Sequence, residues 1–263
     1  MSFEDVKYQV AVGNRVLANI GLASGVLVSL GHVSMRVPEA SDRFVVKGRR
    51  YKMDALPRMR PEDMVVCDFE GNLVEGPPGA MQCHEVKIHS CIYRDRPEVQ
   101  SIVHVHPRFT VLASTLGTQL KPMCQEGALL VRDPVPVYPH FKMVTDDGEG
   151  TLLASLLGDS KVILMTGHGA VSIGSTVDDA IANMYQLEEQ AKMNWYGMCA
   201  VGPDYPGIPT ELLNEARDAP PIWELPHLRE HMKGTGATTG QMVYHRTVAE
   251  ESLAAEGITK PTS

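Results

Sequence analysis

The sequence predicts a layered α/β domain followed by a tail. A chain of 263 residues with 43% hydrophobic content is long enough to bury a sizeable core. Along it, apolar residues recur first at helical spacing, then in short strand-like runs between Gly, Pro and charge, then in alternating helix and strand pieces. A helix followed repeatedly by a strand packs in layers. After residue 202, Pro and Gly become dense and the apolar pattern weakens. The boundary is therefore placed there, with a catalytic-sized unit over 1–202 and an extension over 203–263 that packs on the domain or on a neighbouring subunit.

Residues 4–29 place Val6, Val10, Val16, Leu17, Ile20 and Leu22 on a helical period before a break at Gly25, which predicts an opening amphipathic helix. From Gly31 to Val74 the apolar runs shorten to Phe44-Val-Val46 and Met64-Val-Val-Cys67. These read as strands, and Phe69-Glu-Gly-Asn72 reads as a tight hairpin turn. A helix is expected over 79–94, stopped by Arg94-Asp-Arg-Pro97. Ser101-Ile-Val-His-Val-His-Pro107 is then a strand, because its β-branched residues favour extended backbone and Pro107 removes a ladder donor. Phe109–Leu116 reads as a helix, 122–139 as irregular or extended, and 148–158 as a helix. Lys161-Val-Ile-Leu-Met165 is a continuous apolar run of the kind found in a strand covered on both faces. Thr176, with Asp179 three residues on, is a helix start, and the period continues to about Met198.

Charge and cysteine usage narrow the partners. A net charge of −8 argues against nucleic acid and anionic membranes, which need clustered positive charge, and no stretch has the length of a membrane span. The expected partner is a small molecule. Cys67, Cys83, Cys91, Cys124 and Cys199 are five, without a CxxC, so reduced thiols in a cytoplasmic protein are the simplest expectation. The opening MSFEDVKYQV has no basic segment leading into an apolar run and does not read as a secretory signal.

The chemistry is concentrated in histidines. His104 and His106, two apart in a strand, project to one face at a separation of roughly 6 to 7 Å and can converge on one ion. The plain alternative is one core imidazole and one solvated imidazole. His168, between Gly167 and Gly169 at the end of an apolar strand, is a third candidate. Glu85, beside His84 at the start of the preceding helix, reaches the end of the histidine strand only if the connection folds back. Three imidazoles and one carboxylate suit zinc, manganese or ferrous iron. His227, His231 and His245 in the tail form a weaker candidate for a second metal, and Asp146-Asp147-Gly148 reads as a turn.

The ordered series Gly31-His-Val-Ser-Met-Arg36, Glu85 with His89, His104-Val-His106 and Gly167-His-Gly169 resembles the class II aldolase/adducin superfamily over most of residues 5–200. The resemblance implies a single α/β/α domain around a mostly antiparallel central sheet. It also implies a homotetramer with sites near subunit interfaces and one divalent ion per subunit held by His104, His106 and His168. Glu85 is implied as a ligand or acid/base group, with His84 an alternative proton source. The sugar-phosphate aldolases of that family carry Gly-Asn, a Thr-Pro-Ser-Gly-like loop and serines that serve the substrate phosphate. This chain instead reads Gly31-His32, Val46-Lys-Gly-Arg49 and Gln82-Cys-His84. Lys47, Arg49, Arg50, Lys52, Arg58 and Arg60 crowd the same region, and Arg108 follows the histidine pair. Arginine forks suit carboxylates. This departure resembles the branch that decarboxylates ortho-hydroxylated aromatic dicarboxylates, such as dihydroxyphthalate or hydroxymethylpyridine-dicarboxylate, in aromatic degradation. Expected substrate contacts are His32, Ser34, Arg36, Lys47, Arg49, Arg108 and Tyr138, with His140 nearby. An aldolase or epimerase for a non-phosphorylated hydroxy-carbonyl substrate is the second reading, and an adducin-like interaction module is the third.

Overall fold

The computed structural model describes residues 1–40, 42–49, 53–221, 224–230 and 240–261. Helix α1 (Phe3–Asn19) opens on a reciprocal cap, in which the Ser2 hydroxyl accepts from the Asp5 amide while the Asp5 carboxylate accepts from the Ser2 amide. It ends at Asn19, short of the break expected at Gly25, because the chain turns at Gly21, whose φ of 85° belongs to the left-handed region. A short 3-10 turn at Gly25–Leu27 stands where the second half of that helix was expected.

Strands β1 (His32–Arg36), β2 (Arg43–Lys47), β3 (Met64–Asp68), β4 (Leu73–Glu75), β5 (Ser101–Val105), β6 (Val137–Tyr138), β7 (Val162–Met165) and β8 (Gly169–Gly174) form one eight-stranded sheet. Its order is β4-β3-β2-β1-β5-β8-β7-β6, and every pairing is antiparallel except β6 with β7. The turn at 69–72 joins β3 to β4 as the sequence predicts, closed by the Asp68 amide on Asn72 O.

Alternate residues of the strands enter two cores. Val33, Val45, Val103 and Val105 point to the layer of α1, α5 (Val177–Val201) and α7 (Gly240–Ala255). Phe44, Val46, Ile102, Ile163 and Ile173 point to the layer of α2 (Val86–Asp95) and α4 (Asp147–Leu157). This is an α/β/α sandwich. The period of two makes His32 and His104, directly opposed across β1 and β5, share the α2 face with Ile102.

Two further differences from the sequence reading bear on the site. Helix α2 begins at Val86 instead of 79, because Met81 is drawn off to bridge Arg49 at the edge of the sheet. Residues 169–174, which carry no strong apolar run, form β8, held by β5 on one side and β7 on the other. In the tail, α6 (Thr210–Asp218) and α7 are helices. Helix α7 lies on α1 of the same chain, where buried Arg15 binds Ser252 Oγ (2.8 Å) and Glu256 (3.0 Å), and Met242, Ala249 and Leu253 join the core.

Candidate metal centre

Strand β5 delivers the first two imidazoles. His104 is fully buried, and its Nδ1 donates to Ala170 O on β8 at 3.0 Å, which leaves the Nε2 lone pair free to face an ion. His106 follows the strand, and its Nε2 stands 3.0 Å from His104 Nε2. Pro107 then stands at the N-cap of α3 (Arg108–Leu116), where the Phe109 and Thr110 amides donate to the half-buried Glu188 carboxylate at 3.0 and 2.8 Å. Glu188 thus fixes the turn that aims His106.

His168 comes from the tight turn between β7 and β8. Gly169 beside it is demanded by packing, since a Cβ there would sit 2.4 Å from Val105 O and 2.9 Å from the His106 ring. The three rings meet edge to face, with centroids 4.7 to 5.3 Å apart. Glu85 occupies the N-cap position of α2. Its Oε1 accepts from the Val144 amide at 3.1 Å, and its Oε2 lies 3.3 Å from His104 Nε2 and 3.5 Å from His168 Nε2. The connection does fold back.

These four groups fit a divalent ion. Tetrahedral coordination at Zn–N distances of about 2.0 to 2.1 Å separates neighbouring donors by about 3.3 Å, close to the 3.0, 3.3 and 3.5 Å found here. Burial and the neighbouring charges bear on two of the donors. Burial, then the neighbouring imidazoles of His104 and His168, push His106 down to about 3. Burial alone would raise the Glu85 carboxyl, but His104 and His168 outweigh it and hold it well below the usual carboxylate range.

A second group of potential ligands, His32, Cys83 and His89, lies beside the first. Its geometry is different. His32 Nδ1 and His89 Nε2 are 2.7 Å apart, a hydrogen bond and too close for two ligands on one ion, while His89 Nδ1 is occupied by Ser34 Oγ at 2.7 Å. Burial pushes the Cys83 thiol well above its ordinary value, away from thiolate character. Burial likewise carries His89 down to about 3 and His32 well below its ordinary value, so both rings are neutral.

The remaining expected contacts divide. His32 shares the metal end, its ring centroid 5.2 Å from that of His104. Ser34 and Arg36 are engaged within the protein: Ser34 is fully buried between His89 and Tyr93, and Arg36 donates to the carbonyls of Val99, Tyr93 and Arg96 with its guanidinium over the Phe69 and Tyr93 rings. Four residues of strand put Arg36 roughly 13 Å from His32. Lys47 is fully buried, with Nζ donating to Ser29 O (3.1 Å) and Asp54 O (2.7 Å); burial lowers its pKa to about 8. Arg49 pairs with Asp54 at 3.3 Å, and its Nε is buried without a partner. His84, Arg108 and His140 are exposed, whereas Tyr138 is buried with an unpartnered hydroxyl. Arg50, Lys52 and His231 lie outside the described residues. Among the described residues no potential metal group includes His227 or His245.

His89, Tyr93 and Glu188 carry the surroundings of the site without having been assigned a role from sequence. His89 had a signal, since it stands one helical turn after Glu85 and must share its face.

Residues 9–195 match the family described as Class II Aldolase and Adducin N-terminal domain. The chain belongs to the class II aldolase/adducin family. It is 31% identical to a 3,4-dihydroxyphthalate decarboxylase of Terrabacter sp. (strain DBF63), over 81% of this chain and 89% of that one. Among solved structures, an aldolase II superfamily protein from Pseudomonas syringae shares the fold with a TM-score of 0.74, at 21% identity over 97% of this chain and 94% of that one. An L-fuculose 1-phosphate aldolase from Glaciozyma antarctica PI12 aligns at 25% identity and a TM-score of 0.66, covering 95% and 90%. With three 3,4-dihydroxyphthalate decarboxylases among its relatives at 30 to 31% identity, the chain is a carbon–carbon lyase. No described helix is long and apolar enough to cross a membrane.

Proposed function

We propose that the chain is a metal-dependent, non-oxidative decarboxylase of an ortho-hydroxylated aromatic or heteroaromatic dicarboxylate, of the 3,4-dihydroxyphthalate or hydroxymethylpyridine-dicarboxylate kind. The observation that carries the reading is the pairing of a complete three-histidine, one-glutamate group with Lys47 and Arg49 where sugar-phosphate aldolases hold their phosphate. The likeness to 3,4-dihydroxyphthalate decarboxylases supports it.

Zinc, manganese or ferrous iron held by His104, His106, His168 and Glu85 would supply a Lewis acid that draws electron density from the ring as the carboxyl group leaves. The register of β1 with β2, continued past Lys47, brings Gly48 and Arg49 to the His32 end of the sheet. Arg49 is then the fork for a substrate carboxylate: one end is steadied by Asp54, and its buried Nε lacks an acceptor. Lys47, tied to two carbonyls, adds positive charge without competing for that carboxylate. Arg108, on the exposed start of α3, faces the entrance. Because Glu85 Oε2 faces two of the imidazole nitrogens, its role is chiefly that of fourth ligand. Exposed His84 beside it is the proton carrier for the ring carbon.

The test is incubation of the metal-supplied protein with 3,4-dihydroxyphthalate and pyridine dicarboxylates, with release of carbon dioxide followed. No release across the panel, together with aldehyde formed from hydroxy-ketones, would replace this reading with the aldolase or epimerase one. In Glu85→Gln the expected result is a protein depleted of metal. A fully metallated but inactive variant would instead make Glu85 the proton carrier. The same reading places the enzyme in the cytoplasm as a homotetramer, and light scattering of the purified protein checks the assembly.

A further inference from the structure

Behind the metal group four side chains form one continuous line. His32 Nδ1 meets His89 Nε2 at 2.7 Å, His89 Nδ1 meets Ser34 Oγ at 2.7 Å, and Ser34 Oγ meets Tyr93 OH at 2.8 Å. Their exposures are 4%, 0%, 0% and 1% from His32 to Tyr93, so water does not interrupt the line. His89, a neutral ring with one N–H, either donates to His32 and accepts from Ser34 or does the reverse, and the single hydrogen of Ser34 has only His89 and Tyr93 to go to.

Tyr93 decides the direction. Its other acceptor, Gln100 O, lies at 3.5 Å, the outer edge of a hydrogen bond, whereas Ser34 Oγ lies at 2.8 Å. The phenol hydrogen therefore goes to Ser34. Ser34 then donates to His89 Nδ1, His89 Nε2–H donates to His32 Nδ1, and the one proton of His32 is left on Nε2. That nitrogen has no protein partner among the described residues and is not shut off from solvent. It belongs to the ring lying 5.2 Å from the His104 ring.

We propose that His89, backed by Ser34 and Tyr93, is a positioning residue that holds His32 as an Nε2–H tautomer, a neutral hydrogen-bond donor to an electron-rich substrate oxygen beside the metal ligands. The substrate oxygen, a ring hydroxyl or carboxylate, rests on the decarboxylase reading; the tautomer does not. The line orients and does not conduct. A neutral imidazole gives up its remaining proton with great difficulty, and the far end is a phenol that burial pushes well above its ordinary value. A donor kept neutral in this way stabilises charge developing on a substrate oxygen without transferring its proton.

The experiment reads the tautomer first. In protein labelled with nitrogen-15 at histidine, with zinc and without, the ring-nitrogen shifts and couplings of His32 and His89 should both show Nε2 protonated and Nδ1 bare. A His32 protonated on Nδ1 overturns the proposal. For function, His89→Leu should keep one metal per chain, lower kcat about 10- to 100-fold and leave KM within about threefold. His89→Gln, whose amide N–H can again donate to His32 Nδ1, should recover most of that loss. Equal activity in the two variants, or loss of metal in both, would also overturn it. If the wild-type protein releases no carbon dioxide while His32 shows the expected tautomer, the substrate reading alone falls.

Discussion

Two neighbouring clusters of the same residue types stand at one end of this sheet, and they do different things. In one, Glu85 and three histidines turn their donor atoms toward a shared point, all within 4.8 Å of one another and three of the pairs at 3.0 to 3.5 Å. In the other, His32 and His89 lie head to tail at 2.7 Å and pass the contact on to Ser34 and Tyr93. Composition does not separate them, since both have buried imidazoles and a further potential ligand. Direction does: converging lone pairs make a cation site, whereas alternating donors and acceptors make an oriented line.

The comparison breaks most sharply at the converging group. His104→Ala or His106→Ala should reduce bound metal, measured by elemental analysis, to a small fraction of one per chain. Losing a Lewis acid worth several kcal/mol lowers turnover by roughly a thousandfold. A variant of either histidine that kept both its metal and its activity would refute the assignment. No change in the His32 line should produce this loss of metal.

How much of the contrast was readable beforehand follows from what each cluster depends on. His104 and His106 share a short segment, and the period of a strand aligns them, so the pair was legible without a fold. Gly167-His-Gly169 announced a tight approach, although β8 itself was hidden because its residues gain strand structure from β5 and β7. The place of Glu85 depended on a long-range event, the docking of the Val144 amide on its other oxygen. His32 needed still more: the antiparallel register that sets it opposite His104, and the packing of α2 that drops His89 onto it. The contacts of Arg36 needed the fold for the same reason. Beside a motif it looked like a carboxylate fork, but its donors are taken by three backbone carbonyls that only the folded connection after α2 presents.

Acid sharpens the comparison with an effect of about 2 kcal/mol between pH 7 and pH 5. His89 sits at about 3 in the folded chain because burial penalises its charge, against an ordinary value near 6.5. Below 6.5 the unfolded chain binds a proton that the folded one refuses, so stability falls with decreasing pH until about 3. Thermal unfolding of metal-free protein between pH 7 and pH 5 should show this slope, to which buried His32 and His106 also contribute, and His89→Gln should make it shallower. An unchanged slope in the variant would mean that His89 is not held neutral.

The smallest expected effect lies at the closed end of the line. Tyr93→Phe removes one buried hydroxyl from Ser34, so unfolding free energy should fall by about 1 kcal/mol, with metal content unchanged. The ring that stacks with Phe44 and Phe69 and carries the Arg36 guanidinium stays in place. Ser34 keeps its own hydrogen for His89, so His32 should remain protonated on Nε2 and kcat should drop by no more than a few-fold. A much larger loss of kcat at unchanged stability would mean that the proton of Tyr93 takes part in turnover, and the line would then be a conductor as well as a brace.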